Sequence, residues 1–285
     1  MIHEQKDLAA LVSPIMHEAG KLLLSYYHQR LNWKEKEGDN GFVTEADIAS
    51  ENFLIQSLTS IIPGASFFAE ESGKSEGQSD YCWVIDPLDG TTNFAHGLPY
   101  FCISIALTHK NVPVFGVIYQ PLLNELFYAQ KGKGAWLNEA QLSVNLSGAC
   151  GRTQIKTESS EFLTESFLKK SIIAIGLPYA KNEEYAYILE NTWTIAREAY
   201  AIRHFGAVAL DIAYVAAGRL DGVIFSNLGW WDAAAGMVIL SEAGGTITDF
   251  QGNQVGLGYR SFIGAGSGEA HQRLLNTLKT TPLNT

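Results

Sequence analysis

The chain has 285 residues, enough for one large domain or two closely packed halves. A hydrophobic content of 46% supports a packed core and excludes a disordered chain. The formal charge of −10, from 20 Lys and Arg against 30 Asp and Glu with no basic run, argues against a nucleic-acid partner.

Leu8, Leu11, Val12, Ile15, Met16, Ala19, Leu22, Leu23 and Tyr26 recur at helical spacing and predict a helix over 5–28. A charged, Gly-containing loop follows over 34–41. A second helix is predicted from 44 to about 60, where Pro63-Gly64 stops it. A short strand over 66–69 leads into Glu70-Glu71-Ser72-Gly73, and 74–80 is a polar loop. The apolar run Trp83-Val84-Ile85 reads as a buried strand. Asp86-Pro87-Leu88-Asp89-Gly90 is expected to end it, so that Asp86 and Asp89 leave the sheet together at its C-terminal edge. Strands over 102–108, 114–119 and 125–129, separated by Asn111, Pro113, Pro121 and Asn124, predict an antiparallel meander. Lys131-Gly132-Lys133-Gly134 is a turn.

Residues 145–165 are polar, rich in Ser and Thr, and are the best candidate for a boundary. The expected division is an α+β half over 1–150 and an α/β half over 151–285, packed as one compact unit. The second half alternates: strands over 171–175, 201–204, 222–225 and 245–248, with helices over 183–200, 208–217 and 232–243 between them. That alternation predicts α/β layering.

Cys82, Cys102 and Cys150 have no metal-ligand spacing. Cys82 and Cys102 lie in apolar runs and read as buried, reduced thiols, which fits a reducing compartment. The N-terminal residues lack a signal-peptide pattern, and no apolar stretch is long enough to cross a bilayer. A soluble cytoplasmic protein with no membrane partner is expected.

Acidic residues recur at the ends of predicted elements: Glu70-Glu71 and Asp86/Asp89 after strands, Asp232 at a helix start, and Asp47 in an early helix. Taken singly, Asp232 reads as an N-cap, Asp89-Gly90 as a turn and Glu70-Glu71 as a solvated pair. Two carboxylates as close as Asp86 and Asp89 repel unless a cation neutralises them, and hard divalent cations take oxygen ligands. The Gly90 and Thr91 N–H groups face the same place, ready for an anion. Metal beside an anion-binding turn points to phosphate chemistry.

Glu70-Glu71-Ser72, Asp86-Pro87-Leu88-Asp89-Gly90-Thr91 and Trp231-Asp232-Ala233-Ala234-Ala235-Gly236, in this order, resemble the motifs of the inositol monophosphatase family. Val43-Thr44-Glu45-Ala46-Asp47, Thr92-Asn93-Phe94-Ala95-His96-Gly97-Leu98-Pro99 and Ser241-Glu242-Ala243-Gly244-Gly245 extend the resemblance over nearly the whole chain. It implies a layered α-β-α-β-α sandwich and a Mg²⁺-dependent, lithium-sensitive phosphatase of small phosphate monoesters, usually a homodimer. By resemblance Glu70, Asp86 and the Leu88 carbonyl hold one Mg²⁺. Asp86, Asp89 and Asp232 hold a second, and a weaker third lies near Glu70. Thr91, paired with Asp47, orients and helps deprotonate the attacking water, with Glu70 on its other side. Gly90 and Thr91 hold the phosphate, and Asp89, Gly206, Ala207, Phe225 and Asp232 are the expected substrate contacts.

The chain departs from the inositol pattern at Phe225, where relatives carry a Glu that grips ring hydroxyls, and around Gly206-Ala207-Val208. An apolar residue leaves a polyol's hydroxyls unpaired. Histidinol phosphate, another sugar phosphate, a nucleotide or NADP are alternative substrates, with Asn227 or Asp211 as substitutes for the missing Glu. A non-catalytic regulatory protein on the same scaffold is the competing class. His96 and His204 read as structural, Trp230-Trp231 as packing under Asp232, and Glu71 as a neighbour of the site.

Overall fold

The computed structural model describes residues 7–35, 42–144, 167–177 and 183–279. Cys150, most of the predicted loop 34–41 and the expected boundary segment 145–165 lie outside them.

Helix α1 (Leu8–Tyr26) starts where the Asp7 carboxylate accepts the Ala10 N–H at 3.1 Å. It buries a stripe of Leu8, Val12, Met16, Ala19 and Leu23. Strands β1 (Trp33–Glu35) and β2 (Phe42–Thr44) pair as a small ribbon that feeds α2 (Glu45–Leu58). Thr44 and Asp47 close a capping box at the start of α2. Strands β3 (Ser66–Ala69), β4 (Gly73–Ser75), β5 (Tyr81–Asp89), β6 (Cys102–His109), β7 (Val112–Gln120), β8 (Glu125–Gln130), β9 (Ala135–Leu137) and β10 (Ala140–Leu142) form one eight-stranded sheet. Its order is β10-β9-β8-β7-β6-β5-β3-β4, antiparallel except where β3 runs parallel to β5. Five-residue α3 (Thr91–Ala95) follows β5.

The rest of the chain contributes β11 (Ile172–Ile175), α4 (Glu183–Glu198), β12 (Ala201–Arg203), α5 (Val208–Ala216), β13 (Gly222–Phe225), α6 (Trp230–Glu242), β14 (Thr246–Thr248), β15 (Phe262–Ala265) and α7 (Gly268–Lys279). The five strands form a second sheet of order β12-β11-β13-β15-β14. β12, β11 and β13 are parallel, and β15 is antiparallel to both its neighbours.

Side-chain alternation along the central strands sets the layers. Trp83, Ile85, Ile103, Ile105, Phe115 and Val117 pack on α1 and α2. Val84, Cys102, Ala106 and Ile118 face the other way, onto α5 and α6, which also cover Val223 and Phe225 of the second sheet. Ile173, Ile224 and Ile263 on the far face of that sheet pack against α4 and α7. The result is the expected α-β-α-β-α stack. Small residues let α6 fit in the middle: a Cβ at Gly116 of β7 would strike the Ala235 carbonyl, and one at Gly236 would sit 2.7 Å from Ile212 of α5.

Two local expectations are corrected. The Pro87-Leu88-Asp89-Gly90 segment does end the strand, at Asp89, but Asp86 does not leave the sheet there, because β5 continues from it to Asp89 through a bulge. Asp86 pairs with Ser104 and Asp89 with Cys102, so β5 fits one more residue than β6 between these pairs. Asp232 is not the N-cap of α6. That position is Gly229, and Asp232 lies in the first turn, where its carboxylate accepts the Gly229 N–H at 2.7 Å.

Candidate active site

The bulge in β5 aims the site. Extra backbone between Asp86 and Asp89 brings both side chains to one place, and the Leu88 N–H donates to Asp86 Oδ1 at 3.0 Å. Ser50 of α2 donates to the Pro87 carbonyl at 2.9 Å and holds the bulge from below. Asp232 arrives from the first turn of α6. Asp86, Asp89 and Asp232 each present an oxygen within 4.8 Å of the other two. Glu70, at the end of β3, is placed beside Asp86 by its own N–H, which donates to the Ile85 carbonyl at 3.1 Å. Buried Glu51 receives the next two N–H groups, of Glu71 and Ser72, each at 2.9 Å, and fixes the loop.

Burial and mutual repulsion act on these carboxyls in the same direction. Burial, then the charges of Glu70, Asp89 and Asp232, push Asp86 well above the usual carboxylate range. Burial raises Asp89 to about 7, against the opposing pull of the Ala209 and Val208 N–H groups. Those two donors, at 2.7 and 3.1 Å, place the Asp89 carboxylate at the start of α5, with the Cys102 thiol 3.6 Å away. Oxygen donors this close and this reluctant to ionise suit hard divalent cations, which remove the repulsion on binding.

Thr91, in the first turn of α3, has its Oγ1 3.0 Å from Asp47 Oδ1 and 3.0 Å from the Leu88 carbonyl. Asp47 is fully buried, and its other oxygen accepts the Thr44 N–H at 2.8 Å and the Thr44 hydroxyl at 2.5 Å. Burial raises its pKa in spite of the hydrogen bonds from Thr44 and Thr91. Gly90 precedes Thr91 with φ +91, and a Cβ there would lie 3.0 Å from the Tyr100 carbonyl.

These groups open onto a cleft of about 730 Å³. Glu70, Asp86, Leu88, Asp89, Gly90, Thr91, Gly206, Phe225 and Asp232 all line it. Ala207 is buried beneath, its Cβ against Gly90, and Asp47 stands behind Thr91. Of the two substitutes for the missing Glu, Asn227 lines the cleft, whereas buried Asp211 is engaged by the Tyr100 hydroxyl at 2.6 Å. His204 lines the cleft too, with Nδ1 2.8 Å from the Ile175 carbonyl, while His96 is exposed and bonded to Thr92. Trp230 is buried, but Trp231 forms the wall, edge-on to Phe68. Lys74, Tyr259 and Arg260 complete the rim. They come from loops and a short edge strand that carry no motif, so sequence pattern alone gives no handle on them.

Residues 4–282 match the model of the inositol monophosphatase family. The chain belongs to that family. An inositol-1-monophosphatase from Mesorhizobium japonicum is 36% identical over 244 residues, 85% of this chain and 85% of its own. A relative from Escherichia coli (strain K12), named Nus factor SuhB, is 41% identical over 219 residues, 76% of this chain and 75% of its own. The crystal structure of extragenic suppressor protein suhB from Bartonella henselae matches with a TM-score of 0.84 at 32% identity, covering 97% of this chain and 100% of that one. Membership in the inositol monophosphatase family supports a phosphatase, and the acidic cluster is compatible with metal binding. No described helix is long and apolar enough to cross a membrane.

Proposed function

We propose that this family member is a Mg²⁺-dependent phosphomonoester hydrolase acting on small phosphorylated alcohols of the inositol 1-phosphate type. The observation that carries the reading is the cluster of buried Asp86 and Asp89 with half-buried Asp232 lining a cleft, beside the Thr91–Asp47 pair. Glu70, Asp86 and the Leu88 carbonyl would hold one ion, and Asp86, Asp89 and Asp232 a second. Bound Mg²⁺ would offset the carboxylate charge and polarise the phosphoryl and leaving oxygens. By family likeness we extend the same proposal to two ions, a third near Glu70, inhibition by Li⁺, a homodimer and a cytoplasmic location.

The protein groups divide the remaining work. The Gly90 and Thr91 N–H groups receive phosphate oxygens. The Thr91 hydroxyl donates to Asp47, which leaves its lone pairs free to orient an attacking water. The proton that the water gives up passes through the Thr91 hydroxyl to Asp47, Glu70 accepts a hydrogen bond from the water's other hydrogen, and the departing alcohol takes its proton from solvent. Attack is in line on phosphorus, without a phosphoenzyme. Gly206, Asn227 and the Asp89 and Asp232 carboxylates face the alcohol. Phe225 is itself buried behind the cleft wall, so that side offers no carboxylate to ring hydroxyls, which tilts preference toward alcohols with fewer hydroxyls than inositol, such as histidinol phosphate or a nucleotide. Phosphate release from a panel of these esters, with and without Mg²⁺, tests the reading. Mg²⁺-dependent release from at least one is expected, and none from any by folded protein would refute it.

A second reading follows from the Escherichia coli relative named Nus factor SuhB. A regulatory role would depend on the folded surface, not on the cleft. The inactive variant Asp86→Asn separates the two: rescue of a deletion phenotype by that variant would assign the phenotype to the surface.

A further inference from the structure

Asn93 is almost fully buried and takes no part in the chemistry above, yet it joins chain segments far apart in sequence. Its two amide hydrogens are both used. One goes to the Tyr100 carbonyl at 2.8 Å and the other to the Phe205 carbonyl at 2.7 Å. Gly206, at φ +82, makes room for it: a Cβ there would lie 3.3 Å from Asn93 Nδ2. Tyr100 adds a second tie to the same segment. Its ring stacks on Phe205 at 4.7 Å, and its hydroxyl donates to Asp211 Oδ1 at 2.6 Å. Burial keeps the Tyr100 hydroxyl protonated, so it stays a donor.

The clipped segment, 205–211, starts α5. Within it lie Val208 and Ala209, whose N–H groups hold the Asp89 carboxylate. Ala207, between them and Asn93, packs 3.2 Å from where a Gly90 Cβ would stand. Loosening the clip therefore shifts two parts of the site together: the donors that aim Asp89, and the wall behind the Gly90–Thr91 turn.

We propose that Asn93 and Tyr100 are positioning residues that fix the start of α5 so that its N–H groups hold Asp89 in the orientation its cation needs. This rests on the assignment of Asp89 as a metal ligand. Groups that orient ligands in this way are typically worth 10–100-fold in metal affinity or activity.

The test compares wild type, Asn93→Ala, Tyr100→Phe and Arg219→Met by three readouts: calorimetric Mg²⁺ affinity, thermal midpoint in EDTA, and KM with kcat. Tyr100→Phe removes only the hydroxyl and keeps the ring stack. Arg219→Met is the control, because it breaks the Arg219–Glu125 ion pair beyond the far end of α5 and costs stability, yet reaches Tyr100 only through the Tyr214 ring and leaves the clip hydrogen bonds in place. Asn93→Ala is expected to weaken Mg²⁺ binding at least ~10-fold, and Tyr100→Phe ~3-fold, with KM rising in both. Arg219→Met is expected to lower the midpoint and leave Mg²⁺ affinity at the wild-type value. If both clip variants bind Mg²⁺ like wild type, or if the control weakens binding as much as they do, the proposal fails. If Asn93→Ala does not fold, Tyr100→Phe decides alone. Absence of Mg²⁺ binding by folded wild type would instead overturn the proposed function.

Discussion

Replacing Asp86 by Asn is expected to have opposite effects on stability and on turnover. Asp86, Asp89 and Asp232 have oxygens within 4.8 Å of one another. Two unit charges at that separation repel by ~3 kcal/mol at an effective dielectric constant of about 20. The ion-free protein relieves this by binding protons, at a cost that grows with pH. Asp89 alone, raised from 3.8 to about 7, costs the ion-free fold ~4 kcal/mol at pH 8. Its folded pKa lies above its unfolded one, so the stability is fully present below pH ~4 and lost as pH rises toward 7. The amide oxygen introduced by Asp86→Asn would keep the Leu88 N–H bond, and the substitution removes one charge. In EDTA at pH 8 the variant should gain ~1–3 kcal/mol, a rise in Tm of roughly 2–10 °C, shrinking at pH 5. Added Mg²⁺ should stabilise the variant much less than wild type, and turnover should fall at least ~100-fold with an unchanged circular dichroism spectrum. Thermal unfolding at both pH values, with EDTA and with Mg²⁺, reads the stability effects, and phosphate release reads the turnover. A variant that melts lower than wild type in EDTA at pH 8, and keeps the full Mg²⁺ shift, would show that Asp86 neither adds repulsion to the cluster nor holds the cation.

Thr91→Val keeps the shape and loses the hydroxyl that faces Asp47, so kcat should fall ~100- to 1,000-fold while the Mg²⁺-induced thermal shift stays at the wild-type size. Steady-state kinetics and a melting curve check the two parts. Gly116→Val drives a side chain into the Ala235 backbone and should cost ~3 kcal/mol or more, seen as a Tm lower by roughly 6 °C or more. Asp211 is buried and raised well above the usual carboxylate range, so its ionisation opposes folding as pH rises. Asp211→Asn keeps an oxygen for the Tyr100 hydroxyl, and its stability relative to wild type should increase between pH 5 and pH 8 in denaturant titrations.

Much of the fold is legible along the chain because its central strands are buried on both faces. The runs at 102–108, 114–119 and 222–225 need no tertiary information, and the stripe on α1 is equally plain. The bulge at Pro87-Leu88 is different. It exists only in the register of β5 against β6, and a Pro within an apolar run reads locally as an ending. Asp232 is ambiguous for a similar reason, since an Asp can accept a backbone N–H from the cap position or from within the first turn. Strand β15 and helix α7 escape the strand–helix alternation reading, although Ala270, Leu274, Leu275 and Leu278 of α7 recur at helical spacing. In the site, the acidic residues and the glycine turn can be named from motifs. Lys74, Tyr259 and Arg260 cannot, because only folding brings those loops to the rim. Asn93 and Tyr100 are likewise invisible as a clip until Phe205 and Asp211 are placed beside them.

On the proposed function, Asp86, Asp89 and Asp232, with Glu70 beside them, hold the cations on which phosphate release depends. Anomalous diffraction from crystals of the active protein soaked in Mn²⁺ tests it most directly. Anomalous peaks bonded to oxygens of Asp86, Asp89 and Asp232 are expected, and none in crystals of Asp86→Asn. An active protein whose Mn²⁺ binds elsewhere, with no peak between these carboxylates, would contradict it.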